Sequence, residues 1–362
     1  MTGEPLIPVT VLTGFLGSGK TTVLNHLLHQ PDMDGVVAII NEFGEVGLDH
    51  LLVETSEERF ALLDNGCVCC SVREDLVALL SELSSREVTG AALIRRVLIE
   101  TTGLADPVPV LHTLMTAPSV VERYRIDGVV VTVDAVNAVG SLDVRAEAVK
   151  QIAVADRVLL TKLDLIDKAS RAVVEERIRL INPTVSITHV AHGLVEPELI
   201  FEAGLFAPQG RSEEVSQWFD IAAKATGLHS HGVSDHEPHD HEHEQHAHGA
   251  HGQGIVSFSL TVHEPIRWAA FSRWLDYVAA LKGNDLLRFK ALVNVAERPE
   301  GPLVVHAVQH VMHPPIEMDA WPSPDRSSRL IFIVRNIPVE AIERTLAKFG
   351  EIRRDSIART TA

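Results

Sequence analysis

Up to about residue 200, short apolar and β-branched runs alternate with segments whose apolar positions recur every three or four residues. The runs at 7–13, 36–41, 96–101, 128–134, 157–161 and 185–190 predict strands, while 21–29, 74–83, 145–155 and 169–180 predict helices. Strands that alternate with helices of this length imply an α/β fold with a doubly wound, mainly parallel sheet. Such sheets bind ligands at the carboxyl ends of their strands. This first domain is assigned to residues 1–210.

The pattern then changes. Residues 211–253 read as a helix followed by a flexible tract, in which 229–251 run HSHGVSDHEPHDHEHEQHAHGAH, too polar to bury a core. Periodicity returns over 254–362: strand 255–261, helix 267–281, strands 287–295, 303–308 and 330–334, and helix 339–349. That order predicts a small C-terminal α+β domain.

Bulk properties narrow the function classes. A chain of 362 residues exceeds what one core usually covers. A formal charge of −17 argues against nucleic acid as a partner, since phosphate binding needs clustered Lys and Arg. The first apolar run leads straight into a glycine loop without a basic flank, and no apolar stretch is long enough for a bilayer, so no membrane is expected. All 3 cysteines fall within 67–70, which makes no disulfide framework and points to a reducing, cytoplasmic setting.

Against that frame of strands, Gly14-Phe15-Leu16-Gly17-Ser18-Gly19-Lys20-Thr21-Thr22 matches the P-loop pattern between a strand and a helix. Gly14, Gly17 and Gly19 let successive backbone N–H groups turn inward on an anion, Ser18 and Thr22 complete the cradle, Lys20 reaches the outer phosphates and Thr21 offers a hydroxyl to Mg²⁺. Glu100 ends an apolar strand where P-loop enzymes keep a carboxylate for the Mg²⁺ shell or the attacking water. Thr161-Lys162-Leu163-Asp164 stands where GTPases read guanine, with Lys162 and Asp164 as the candidate base contacts and Thr161 in place of the commoner Asn.

A second chemistry is legible at Cys67, Cys69 and Cys70. Three thiols in four residues converge only in a loop, and a following helix N-terminus favours thiolates, which select Zn²⁺, Co²⁺ or Cu⁺ over Mg²⁺. The fourth ligand is open: Glu42, a histidine, water or a client protein. A redox switch stays an alternative. The acids and glycines of 41–49 occupy the place of a γ-phosphate-sensing switch, so Asp49 joins Lys20 and Glu100 as a candidate catalytic residue. The tract 229–251 holds 9 of the 19 histidines and suits loose binding of many metal ions. His306 and His310 share strand parity, which would set them on one face.

Taken together, GFLGSGKTT, NEFGEVGLD, NGCVCC, IETTGLADP, TKLD and GNDLLRFKALVNV resemble the CobW family of G3E P-loop GTPases over nearly the whole chain. The resemblance implies that Cys67, Cys69 and Cys70 bind a cargo metal and that the nucleotide state controls its capture and release. It therefore implies a GTP-dependent metallochaperone that uses GTP and Mg²⁺ and serves a client metalloprotein; the generic thiolate ligand set and the histidine tract put Zn²⁺ first as its cargo and Co²⁺ next. Self-association into a homo-oligomer is left open. A metal buffer working through the histidine tract and a P-loop small-molecule kinase are the rival readings.

Overall fold

The computed structural model describes residues 5–31, 33–40, 60–62, 71–89, 93–201 and 254–361. Seven parallel strands form the first sheet: β1 (Ile7–Gly14), β2 (Val36–Ile40), β3 (Phe60–Leu62), β4 (Arg96–Glu100), β5 (Tyr124–Asp134), β6 (Arg157–Thr161) and β7 (Ser186–His189), in the order β3-β2-β4-β1-β5-β6-β7. The helices are α1 (Lys20–Leu28), α2 (Ser71–Val88), α3 (Val108–Thr116), α4 (Pro118–Val121), α5 (Ala138–Val144), α6 (Ala146–Val154) and α7 (Lys168–Ile181). Leu24 and Leu27 of α1 pack on one face of the sheet with Leu12, Leu98 and Leu159. Leu80 of α2, Leu111 of α3, Ile152 of α6 and Ile178 of α7 pack on the other. The expected doubly wound sheet is therefore present.

Two features depart from the periodicity. β3 was not expected, because three residues between polar segments carry no readable period; it pairs with β2 through Ala38 and Phe60. Consequently the residues before Ser71 follow a third strand rather than the second. α3 also escaped the pattern: it spans only nine residues and has Pro109 in its first turn, too little for a helical period to be read.

Sheet order places the ligand end. β1 lies between β4 and β5, so the chain leaves in opposite directions on either side of it and a crevice opens beyond its carboxyl end. Glycine at 14 is required there: φ is 146°, and a Cβ would run into the hydroxyl and carbonyl of Thr132 on β5.

The second sheet is antiparallel: β8 (Ile255–Val262), β9 (Leu286–Val293), β10 (Leu303–Val308), β11 (Val311–Met312), β12 (Ile316–Glu317), β13 (Ser328–Arg335) and β14 (Ile357–Thr361). Its order is β11-β10-β9-β13-β8-β14, with β12 beside β10. Helices Trp268–Lys282 and Val339–Gly350 cover one face, where Trp274 of the first helix packs on Phe289 and Phe332 of the sheet. The other face docks on the first domain, whose core takes in Ile255, Leu287, Val308 and Ile333.

That docking face carries charge. Arg288 and Lys290 project from β9 onto Asp156, just before β6: Arg288 pairs with it directly and Lys290 Nζ lies 3.1 Å away. Asp156 Oδ2 also accepts from Val129 N at 3.0 Å, and the Arg288 guanidinium donates to Val154 O at 2.8 Å. Burial pushes the Lys290 ammonium down to about 8 even though Asp156 favours its charge. For Asp156 burial works the other way, but Arg288 and Lys290 outweigh it and hold the carboxyl below the usual range.

His306 and His310 are not on one face. β10 ends at Val308, and Gln309 turns the chain with φ of 53°. His306 is buried at the domain interface, where desolvation keeps its ring neutral, whereas His310 lies in the turn with its ring 4.9 Å from that of His112 on α3.

Candidate nucleotide site

The phosphate loop is built by three strands. Gly17 and Gly19 adopt φ of 70° and 96°, the left-handed region that glycine enters without Cβ strain. Ser18 is buried and its Oγ lies 2.7 Å from Thr132 Oγ1 of β5. Ser18 O accepts from Thr161 Oγ1 of β6 at 2.8 Å. Lys20 opens α1 and its Nζ donates back to Gly14 O at 2.9 Å and Phe15 O at 3.3 Å, so the ammonium lies across the mouth of the loop.

Beside it, Thr21 Oγ1 donates to Glu100 Oε1 at 3.2 Å. The pair joins the first turn of α1 to the end of β4, because β4 is hydrogen-bonded to β1 with Leu12 opposite Glu100. A hydroxyl and a carboxylate at one point are the hard oxygen donors that suit Mg²⁺, so these residues fit that ion. A cleft of about 850 Å³ opens over them. Gly17, Gly19, Lys20, Thr21 and Thr22 line it on one side and Glu100 with Thr101, Thr102 and Gly103 on the other, while Lys162 closes one end. Gly103 sits against the loop itself: a Cβ there would fall 2.7 Å from the backbone nitrogen of Leu16.

At the far end Lys162 takes φ of 57° and its Nζ donates to Asp134 Oδ2 at 2.9 Å. Asn137 Nδ2 and Val136 N donate to the same carboxylate at 2.8 and 2.9 Å. Burial alone would raise the Asp134 carboxyl; the hydrogen bonds from Lys162, Asn137 and Val136 reverse that and hold it below its ordinary value. Asp164 stands on the following turn, Leu163–Leu165, exposed and outside the residues that line the cleft.

The structure thus gathers Gly17, Gly19, Lys20, Thr21, Thr22, Glu100 and Lys162 around one cleft, with Gly14 and Ser18 supporting it from beneath. Glu42, Asp49, Cys67, Cys69, Cys70 and the histidine tract lie outside the described residues. Among the described residues, no group of three or more His, Cys, Asp or Glu converges as a metal-ligand set. Sequence reasoning missed Thr132 and Asp134, which end β5 with no motif of their own, and it missed the supporting role of Thr161.

Residues 8–189 match the model of the CobW/HypB/UreG nucleotide-binding domain, and 255–350 match the cobalamin synthesis protein cobW C-terminal domain. The chain is 30% identical over 341 residues to the zinc chaperone YjiA of Escherichia coli K12, spanning 94% of this chain and 98% of that protein. The zinc-regulated GTPase metalloprotein activator 1 of Schizosaccharomyces pombe is 32% identical over 197 residues, 52% of this chain and 47% of that one. The crystal structure of Zn(II)-bound YjiA GTPase superposes with a TM-score of 0.68 at 27% identity, covering 96% of this chain and 99% of the other. The chain belongs to the CobW/HypB/UreG family.

Proposed function

We propose that this CobW-family chain is a GTPase that binds a transition metal, Zn²⁺ first and Co²⁺ next, and delivers it to a client metalloprotein under control of the bound nucleotide. The observation that carries the reading is the Thr21–Glu100 pair beneath a P-loop cleft, in a chain matched along both domains by a protein named a zinc chaperone. In this reading GTP lies along the cleft with its phosphates against the backbone of 14–19 and Lys20. Mg²⁺, held by Thr21 and Glu100, would offset the charge that gathers on the phosphate oxygens. Lys20 leaves the carbonyls of Gly14 and Phe15 for the outer phosphates. Glu100 and Asp49 orient water for attack, which yields GDP and phosphate. Guanine is read by Lys162 and Asp164 beyond the end of β6.

Cargo metal binds at Cys67, Cys69 and Cys70 with Glu42 completing the set, and the segment 41–49 couples this site to the γ-phosphate. That coupling is a linkage: if GTP raises metal affinity by some factor, metal raises GTP affinity by the same factor. The test is titration of the full chain with Zn²⁺ and with Co²⁺, in the presence of a non-hydrolysable GTP analogue and separately of GDP. A tighter site with the analogue is expected. Equal affinities in the two nucleotide states would sink the proposal.

A further inference from the structure

Gln151 of α6 is 1% exposed, and its side-chain nitrogen donates to Gly103 O at 3.4 Å and to Ala105 O at 3.0 Å. Two carbonyl acceptors settle the orientation of the amide, since turning it over would set oxygen against oxygen. Its own Oε1 has no hydrogen-bond partner among the described residues. A buried amide with half its capacity unspent is costly to keep, so the two bonds it does make carry weight. The preceding residue, Lys150, donates to Asp106 at 3.2 Å. Consecutive residues of one helix thus hold 103–106, the loop that follows Glu100 and leans on the phosphate loop.

The carboxyl end of α6 belongs to a different contact. A helix leaves its last carbonyls without partners inside the helix. Here the two hydrogens of Asn182 Nδ2 are shared among three carbonyls, Ile152 O at 3.0 Å, Ala153 O at 3.4 Å and Ala155 O at 3.0 Å. Val154 O is satisfied from the C-terminal domain, by the Arg288 guanidinium at 2.8 Å, and a cation suits the negative end of the helix. Arg288 also pairs with Asp156, two residues on. Gln151 and Val154 are one helical turn apart, about 4.5 Å along the axis. The grip on the nucleotide loop and the grip on the C-terminal sheet are therefore the two ends of a single turn of helix.

We infer that Gln151 is a positioning residue through which the docking of the C-terminal sheet sets the loop 103–105, and with it the preference of the cleft for GTP over GDP. The inference rests on the GTPase reading above. A displacement of Arg288 from Val154 O and Asp156 shifts the end of α6, and Gln151 transmits that shift to the carbonyls of Gly103 and Ala105. By the same linkage, a γ-phosphate that settles this loop favours the docked C-terminal sheet. The C-terminal domain thereby responds to which nucleotide is bound, without touching it.

The experiment uses the full chain and four proteins: wild type, Gln151→Leu, Arg288→Met and the double variant. GTP hydrolysis and the affinities for a GTP analogue and for GDP are measured on each. Gln151→Leu keeps the volume and removes the donors, so kcat and the analogue-to-GDP affinity ratio should each fall about tenfold while GDP affinity holds. Arg288→Met should lower the same ratio, and the double variant should be no worse than the more damaged single, as for two parts of one device. An unchanged ratio in Gln151→Leu, or single effects that add in the double variant, would overturn the inference. Should Gln151→Leu fail to fold, Gln151→Met, with a similar reach and no donor, decides on the same criteria. Wild-type chain that does not hydrolyse GTP overturns the functional reading itself, and that result is seen before any variant is compared.

Discussion

Thr161 Oγ1 donates to Ser18 O at 2.8 Å, which ties the end of β6 to a phosphate loop 143 positions earlier in the chain. The same hydroxyl lies 3.1 Å from Val133 O, so its single hydrogen serves two acceptors. Threonine at this position does not simply lack the amide of the commoner asparagine; it supports the backbone that is to meet the phosphates. Thr161→Val keeps the shape and leaves Ser18 O buried without this donor. We expect a loss of about 1–2 kcal/mol in unfolding free energy and a several-fold loss in GTP affinity, read by denaturant titration and equilibrium binding.

Gly103 is required by proximity. A Cβ would lie 2.7 Å from Leu16 N and 2.8 Å from Leu16 Cα, and backbone cannot swing aside as a side chain can. Gly103→Ala should push 103–105 off the phosphate loop and weaken binding of a GTP analogue by about tenfold or more. GDP affinity should fall less, because this loop stands on the Glu100 side of the cleft. Equal losses for the two nucleotides would place Gly103 elsewhere in the scheme.

Asp134 holds Lys162, and its carboxyl is held below the ordinary range by Lys162, Asn137 and Val136 against the pull of burial. A folded value below the unfolded one means that the contribution to stability is full above about pH 4 and is lost as pH falls through the folded value. Asp134→Asn should therefore destabilise by about 2 kcal/mol at neutral pH, with the difference from wild type shrinking under acid. Its KM for GTP should rise more than its kcat falls, since Lys162 stands at the far end of the cleft from Glu100.

At the domain interface the slope has the same sign, but it falls in the alkaline range and comes from a charge that burial disfavours. Lys290 titrates near 8 in the folded chain against 10.5 for a free side chain. Below pH 8 both states carry the proton and nothing changes; between 8 and 10.5 only the unfolded chain keeps it, so stability rises with pH. The gain attributable to Lys290 is on the order of 3 kcal/mol across that window. Lys290→Met leaves Asp156 paired with Arg288 and should flatten the rise. Denaturant midpoints at pH 7.5, 8.5 and 9.5 on both proteins check it.

For the proposed metal site the expectation concerns Cys69, which precedes α2 in the sequence. Cys69→Ala should abolish tight Zn²⁺ binding while leaving nucleotide affinity within about twofold of wild type. Lys20→Ala should do the converse, lowering GTP affinity strongly and metal affinity only through the linkage between the sites. Competition with a chromophoric chelator reads the first, and fluorescent nucleotide binding the second.

Much of the nucleotide site was legible because its signals are local. Glycines at 14, 17 and 19 announce backbone that must turn where Cβ is unwelcome, and a strand before and a helix after leave few other uses for Lys20 and Thr21. Glu100 was legible for the same reason, as an acid at the end of an apolar strand. The expectation of two domains rested on chain length and on the polar tract 229–251 between two patterned stretches.

What tertiary structure decided is where hydrogen bonds run between distant segments. Thr132, Asp134 and Thr161 became parts of the site only because β1, β5 and β6 are adjacent in the sheet, an order no single segment encodes. Gln151 lies mid-helix with nothing in its neighbours to mark it, and only the fold brings Gly103 and Ala105 to its amide. Arg288, Lys290 and His306 look like the polar positions of a half-exposed strand; they are buried because a second domain covers that face and brings Asp156 to meet them. Glycine and apolar period act on the nearest few residues and can be read in order along the chain. A buried polar group is defined by its partner, and the partner is chosen in space.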